Sequence, residues 1–215
     1  MKSKKSKHII AFLLVLICLP ISLHGFETGK AGEYFEKSFT YESKGDYTSA
    51  LNSVLRILQM ENRNYTAALR AGWLSYMKGN YSDSIQYYQK AVNVTPGAIE
   101  ARLGIMLPLI ASKKWNEAEK IAQIILKMDY YNYYANSRLA YILFSQKRYG
   151  EAEKQYRKIL DYYPSDIEMK LGLAWTYYNM GRKKEAEKYF RDLLKVRRKN
   201  TSALFGIEKI ESDRK

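Results

Sequence analysis

Few residues in this sequence have the side chains that acid–base, nucleophilic or metal chemistry needs. The histidines are His8 and His24, the one cysteine is Cys18, and no histidine or cysteine follows His24. From residue 25 onward the chain has no thiolate nucleophile, no imidazole base and no His or Cys ligand for a structural zinc. Glutamate pairs recur at 117 and 119, at 151 and 153, and at 185 and 187. Acids are favourable there because helices are expected to begin at these points, so the pairs do not indicate catalytic dyads. The sequence favours a non-catalytic binding protein without a metal or a cofactor.

The overall composition is that of a folded chain with an uneven positive charge. Apolar residues make up 47% and charged residues 27% of the 215 positions, and four prolines exclude proline-rich classes. The formal net charge is +14. Residues 132–215 hold 19 basic and 11 acidic side chains, whereas residues 26–131 hold 13 and 11. The second half therefore carries most of the charge that could attract an anionic partner.

The N-terminal segment has the features of an export signal. Four lysines precede residue 8 without an acid, an apolar run extends from Ile9 to Leu19, and Pro20 interrupts it. This order predicts a signal peptide over residues 1–25, with cleavage before Phe26. We therefore expect the protein in the periplasm or at the cell envelope. Two alternatives remain, an uncleaved segment that anchors the chain in the membrane and a lipid on Cys18.

The rest of the chain repeats at a constant interval of about 34 residues, a length typical of helical repeat architectures. An aromatic position recurs as Tyr47, Tyr81, Trp115 and Tyr149, with Lys183 in the fifth unit, and a small residue follows three positions later as Ala50, Ser84, Ala118, Ala152 and Ala186. The register needs no gap over five units, which are residues 31–64, 65–98, 99–132, 133–166 and 167–200. Since a repeat decides the whole fold, this is the main structural signal in the sequence.

Each unit contains two amphipathic stretches with helical periodicity, separated by a short turn. Gly45, Gly79 and Gly181 mark that turn in three units, where a positive φ costs little. Lys113 and Lys147 replace glycine in the other two, so we expect those turns to close differently. Pro108 falls inside a predicted helix, and we expect a kink there, with Gly104 easing contact with the proline ring. The kink either reshapes the surface of that helix or is a tolerated irregularity.

These residues resemble the tetratricopeptide repeat family, in phrases such as Gly79-Asn80-Tyr81 through Ala91 and Pro96. The resemblance covers residues 31–200 and implies an all-α solenoid of five helix–turn–helix repeats. Residues 26–30 are then a short linker, and residues 201–215 form a capping helix and tail, for which Asn200 can provide the N-cap. Ala203, Leu204, Ile207 and Ile210 would lie on the covered face of that helix. The implied activity is the binding of a peptide or protein partner.

In this family the fifth, ninth and twelfth positions of each unit line a concave groove. Carried over to this chain, the apolar groove residues are Phe35, Phe39, Leu69, Trp73, Tyr76, Leu103, Leu107, Ile110, Tyr141, Phe144, Leu171, Trp175 and Tyr178. They form either a hydrophobic binding groove or simply packing between helices. Helical geometry predicts that Trp73, Tyr141 and Trp175 point away from the partner helix of their own unit.

The basic residues of the second half fall on the second helices of their units, which form the outer side in this family. They are Arg148, Lys154, Arg157, Lys158, Lys184, Lys188, Arg191, Lys195, Arg197, Arg198 and Lys199, and we call them the basic face. This face is either a solvated surface or a contact for an anionic membrane or glycan. Nucleic acid is not expected, because the aromatic residues that would stack on bases lie on the opposite side.

Overall fold

The computed structural model describes residues 24–214, with the backbone alone for residues 24–28, and all regular structure in this range is α-helical. The absence of strands among these residues confirms the all-α class. The helices, in chain order, are α1 (His24–Ser43), α2 (Tyr47–Met60), α3 (Tyr65–Met77), α4 (Tyr81–Val94), α5 (Ile99–Ala111), α6 (Trp115–Met128), α7 (Tyr133–Ser145), α8 (Tyr149–Tyr162), α9 (Ile167–Asn179), α10 (Lys183–Val196) and α11 (Thr201–Ser212).

Consecutive helices pack against one another along the whole described chain, which gives a solenoid of helix pairs. The first helices of successive pairs, α3, α5, α7, α9 and α11, begin one period apart, at Tyr65, Ile99, Tyr133, Ile167 and Thr201. The small residues three positions after the recurring aromatic position are all completely buried, namely Ala50, Ser84, Ala118, Ala152 and Ala186. Because these side chains are small, the two helices of a pair approach closely and larger neighbours such as Ile57, Ile125 and Leu193 fill the core beside them.

Polar caps start four of the first helices at the same point of the repeat. Asn64, Asn132, Asp166 and Asn200 each accept a hydrogen bond from the backbone N–H three residues later, at 2.9–3.0 Å. Each bond satisfies an N–H that the helix leaves free. The expected cap at Asn200 is therefore confirmed.

The turn between the two helices of a pair closes in the same way in all five units, contrary to our expectation for Lys113 and Lys147. Both lysines adopt positive φ, 56° and 61°, close to the 76–78° of Gly45, Gly79 and Gly181. The backbone N–H of Lys147 donates to the carbonyl oxygen of Phe144, and that of Arg148 donates to the carbonyl oxygen of Leu143. The equivalent bonds in the fifth unit run from Gly181 to Tyr178 and from Arg182 to Tyr177. The helix packing therefore imposes one turn geometry, and a lysine accepts the strained conformation.

Helix α5 continues through Pro108 to Ala111. Gly104 has a role there that the sequence interpretation missed, because the ring of Tyr88 from the preceding repeat occupies the space that a side chain on Gly104 would fill. The glycine is therefore required by packing between repeats, in addition to any relief that it gives to the proline ring.

Both ends of the solenoid differ from the sequence interpretation in detail. Apart from its last two residues, the predicted signal peptide lies outside the described residues. Residues 26–30, expected to be a linker, are part of α1. In α11, Ala203 and Ile210 are buried as expected, but Leu204 is 48% exposed, and Gly206 is buried in its place under the ring of Phe190.

Candidate binding surface

The first helices of the pairs form one continuous side of the solenoid. Helices α3, α5, α7, α9 and α11 approach one another in succession to within 8 Å between Cα atoms, whereas among the described residues no second helix comes this close to the second helix of the next pair. Successive pairs are therefore closer together on the side of the first helices, and the stack curves toward that side. We call the side formed by α1, α3, α5, α7 and α9 the inner surface.

The inner surface contains a cavity of about 400 Å³ that extends from the first to the fourth repeat, which we call the upstream cavity. Its apolar wall comes from Phe39, Leu69, Trp73, Tyr88, Leu103 and Leu107. Phe39 is 53% exposed, so its ring faces solvent at the edge of the cavity. Tyr88 is buried at the base, and burial raises the pKa of its phenol, which therefore stays neutral at physiological pH. Two arginines, Arg70 and Arg138, supply the positive charge in the lining.

A second cavity of about 310 Å³, the downstream cavity, lies on the same surface between α7 and α9. Its apolar lining is Tyr141, Phe144, Tyr156, Met169, Leu171 and Trp175. Tyr141 is 48% exposed, whereas Tyr156 is buried at the base, where burial raises the pKa of its phenol. Tyr156 thus occupies in this cavity the place that Tyr88 occupies in the upstream cavity, two repeats earlier.

Nine of the thirteen groove residues proposed from the sequence line these two cavities, namely Phe39, Leu69, Trp73, Leu103, Leu107, Tyr141, Phe144, Leu171 and Trp175. The other four pack between helices. Phe35 and Ile110 lie against the core, Tyr76 stacks between Trp73 and Tyr81, and Tyr178 packs on Trp175 and donates a hydrogen bond to Asp213 at 2.9 Å.

The prediction that the ninth-position aromatics point away from their own partner helix is wrong for Trp175. Its ring packs edge-to-face on Phe190 of α10, with the centroids 5.1 Å apart. Its indole N–H donates to Ser202 of α11 at 2.9 Å, while that of Trp73 donates to Glu42 of the preceding repeat at 2.6 Å. Both tryptophans therefore tie repeats together, and Tyr141 is the more accessible of the three.

Sequence reasoning missed the two arginines of the upstream cavity. Arg70 and Arg138 follow directly after the fifth position of their units, and they lie two repeats apart. The guanidinium of Arg70 donates to Glu42 at 2.7 Å and lies 3.6 Å from the centroid of the Phe39 ring. The available signal was a charged residue next to the fifth position, which is apolar in four of the five units, but nothing local showed that it faces a cavity.

The basic face is partly neutralised within the chain. Five of its eleven residues form ion pairs: Arg148 with Glu119 and Glu151, Arg157 with Glu153, Arg191 with Glu187 and Glu211, Lys195 with Asp192, and Arg197 with Glu168. Arg148, Lys154 and Lys158 line an outer cavity of about 560 Å³ that Glu119 and Glu151 line as well. Because acids alternate with bases, this surface attracts an anionic membrane or glycan less than the residue count suggests.

Helix pairs of constant length, stacked with one curved inner surface, define an α-solenoid repeat protein. A family profile described as tetratricopeptide repeat matches residues 40–99 and 109–167, and a second profile of the same description matches residues 143–206. The chain belongs to the tetratricopeptide repeat family. Proteins of this family are in general non-catalytic scaffolds for protein–protein interaction. No curated protein sequence matches the chain.

Solved structures of tetratricopeptide repeat proteins superpose on most of the chain at low sequence identity. A tetratricopeptide repeat protein from Parabacteroides merdae ATCC 43184 has a TM-score of 0.77 and 19% identity, covering 85% of this chain and 72% of its own. MamA from Desulfovibrio magneticus RS-1 has a TM-score of 0.73 and 16% identity, covering 80% of this chain and 97% of its own. YrrB, described as a TPR protein with an unusual peptide-binding site, has a TM-score of 0.69 and 16% identity, covering 85% of this chain and 95% of its own. At these identities the likeness establishes the fold.

Among residues 24–214, none of the helices combines the length and the apolar character that crossing a membrane requires.

Proposed function

We propose that the protein is a non-catalytic scaffold that binds an extended segment of a protein partner on its inner surface. The observation that carries the proposal is the pair of apolar cavities, about 400 and 310 Å³, placed in succession on one surface. Each has a half-exposed aromatic residue at its edge, Phe39 in one and Tyr141 in the other. Exposed aromatic side chains around apolar cavities are typical of binding hot spots. YrrB, which shares the fold, is described as having a peptide-binding site, and this is consistent with such a use of the fold.

The proposal is tested with variants that remove apolar surface without opening the core. Tyr141→Ala and Leu107→Ala shorten side chains in the two cavities, and Tyr162→Ala is the matched control, because Tyr162 is 58% exposed and lines neither cavity. A partner captured from the native cells with the intact protein is identified, purified and titrated against each variant. We expect Tyr141→Ala and Leu107→Ala to weaken binding by about 1–2 kcal/mol, and Tyr162→Ala to leave it unchanged. Equal affinities for all three would exclude the inner surface as the binding site.

We propose further that this scaffold acts in the periplasm or at the cell envelope. The support is the basic, apolar and small-residue order of residues 1–25. Mass spectrometry of the protein from fractionated cells tests this location. We expect a mature chain that begins at or near Phe26 in the periplasmic or envelope fraction. An intact Met1 in that fraction would favour an uncleaved anchor, and an intact Met1 in the cytoplasmic fraction would contradict export.

A further inference from the structure

Arg138 places a positive charge in the upstream cavity without a carboxylate partner. Its Nη1 donates to the backbone carbonyl of Leu103 at 2.5 Å, and in the described chain no carboxylate lies within ion-pair distance of its guanidinium. Glu100 lines the same cavity, but its carboxylate accepts a hydrogen bond from Tyr65 at 3.2 Å. Burial lowers the pKa of Arg138, yet an arginine stays protonated at neutral pH. A partly buried charge of this kind is costly until an anion pairs with it.

The repeat itself shows which group would satisfy this arginine. Arg70 occupies the equivalent position two repeats earlier, and it pairs with Ser38, Phe39 and Glu42. The residues two repeats after these three are Met106, Leu107 and Ile110. At the repeat positions that supply the two polar side-chain partners of Arg70, Ser38 and Glu42, the later repeat has Met106 and Ile110, which offer Arg138 no carboxylate or hydroxyl.

The position of Arg138 along the inner surface indicates how a ligand would pass it. Arg138 lines the upstream cavity, and the adjacent Ser137 lines the downstream cavity. A segment that fills both cavities must therefore cross Arg138 in its middle and not at its end. An acidic side chain within the segment fits this geometry, whereas a terminal carboxylate would leave one cavity empty.

We propose that the two cavities together bind an acidic segment of a protein partner, with an internal Asp or Glu paired to Arg138 and a bulky apolar side chain on either side of it. This inference rests on the proposed function and specifies the chemistry of the partner.

The test uses defined peptides and the full chain. The probes are fluorescein-labelled, end-capped peptides with a central Glu and a Phe or Leu two to four residues away on each side, in a Gly–Ser background. Each probe has a counterpart with Gln for Glu, and one with a free C-terminal carboxylate that replaces the internal one. The protein variants are Arg138→Gln, Arg138→Lys and Ile110→Glu, with Lys120→Gln on the exposed side of α6 as the charge-matched control.

We expect at least one Glu peptide to bind the intact protein about tenfold more tightly than its Gln counterpart, as a charge-assisted hydrogen bond predicts. The preference should disappear in Arg138→Gln, be reduced in Arg138→Lys and persist in Lys120→Gln. Ile110→Glu should abolish it as well, because it introduces a carboxylate at the repeat position of Glu42, the partner of Arg70. Ile110 packs against the core, so binding to this variant is measured below its own melting transition, where it is folded.

Four results would overturn the inference. They are equal binding of the Glu and Gln peptides, a preference that survives Arg138→Gln, tight binding only of the peptide with the free C-terminus, and failure to bind any probe. If Glu and Gln peptides bind equally but both lose affinity in Tyr141→Ala, the proposed scaffold function stands and only the acidic specificity is wrong.

Discussion

The ring of Tyr156 occupies the space in which a side chain on Gly172 would lie, so that one repeat inserts its aromatic residue into the next. The same relationship joins Tyr88 to Gly104 and Phe190 to Gly206. At the two remaining junctions between repeats, the equivalent pairs are Val54 with Arg70 and Ala122 with Arg138. By repeat position, a large residue is therefore matched with a smaller one at every junction, and the junctions differ in which repeat supplies the large side chain.

Gly172→Ala should destabilise the protein although alanine is the better helix former. The added methyl would clash with the buried Tyr156 ring, and overpacking of this kind costs about 1–3 kcal/mol, against a gain of about 1 kcal/mol in helix propensity. We expect a net loss of about 1 kcal/mol in urea denaturation. Gly150→Ala is the control, since nothing lies within 4 Å of a Cβ at that exposed position in α8, and it should stabilise. Stabilisation by both substitutions would show that the ring moves aside freely.

Lys147→Gly and Lys113→Gly should each stabilise the protein. Both lysines hold positive φ, which costs a residue with a side chain about 1–2 kcal/mol, and glycine removes this cost. Glycine also gives the unfolded chain more conformational freedom, which offsets about 0.5–1 kcal/mol of the gain. We expect a net gain of about 0.5–1 kcal/mol per site by urea denaturation. Gly181→Lys, the reverse change at the equivalent turn, should lose a similar amount. A loss of stability in both glycine variants would contradict the interpretation that these turns are strained.

Tyr141→Ala and Tyr156→Ala should separate binding from folding at the downstream cavity. Tyr156 is 4% exposed and Tyr141 48% exposed. Truncating the buried ring should cost about 3–5 kcal/mol, whereas truncating the half-exposed one should cost about 1 kcal/mol. Trp175→Ala should resemble Tyr156→Ala because Trp175 packs on Phe190. Thermal melting of the three variants measures this order, and an equally low melting temperature for Tyr141→Ala would place that ring in the core.

Glu153→Gln should lower the free energy of unfolding at neutral pH. The variant should also lose less stability in acid than the intact protein does. Glu153 accepts hydrogen bonds from Arg157, Arg182 and Tyr177 at 2.8–3.1 Å, joining α8 to α9 and to the start of α10. Burial by itself raises the pKa of Glu153, but these hydrogen bonds outweigh it and hold the pKa below the ordinary 4.5. The stabilisation is therefore complete above about pH 4.5 and disappears as the pH falls through the folded-state pKa.

We expect Glu153→Gln to lower the free energy of unfolding by about 1–2 kcal/mol at pH 7, and we expect this difference from the intact protein to shrink below about pH 4.5. Urea denaturation of both proteins at a series of pH values measures the difference. Glu208→Gln is the control, since Glu208 is exposed on α11 and forms no ion pair within the described chain, and it should follow the intact protein throughout. A difference that is constant with pH would show that the carboxylate charge is not its source.

The architecture could be read from the sequence because each of its causes is local or periodic. Amphipathic spacing predicts the helices, the small residue of each unit predicts the close crossing, and Asn200 predicts a cap from its own neighbours. Because the interval between units is constant, the elements of one unit predict those of the next without a gap. Most of the apolar cavity-lining residues followed for the same reason, since a position in the repeat defines a position on the solenoid.

The tertiary structure alone decided where this repeat rule breaks. Lys147 adopts a glycine-like φ because packing of the two helices, and not the residue in the turn, sets the backbone path. Trp175 contacts Phe190 because the Phe190 ring extends over Gly206 of α11 and so passes beside the indole. Arg138 lines the upstream cavity without a carboxylate partner among the described residues, whereas Arg70, its repeat equivalent, pairs with Glu42. Each of these outcomes depends on side chains that are distant in sequence and adjacent in space, so no local pattern could predict them.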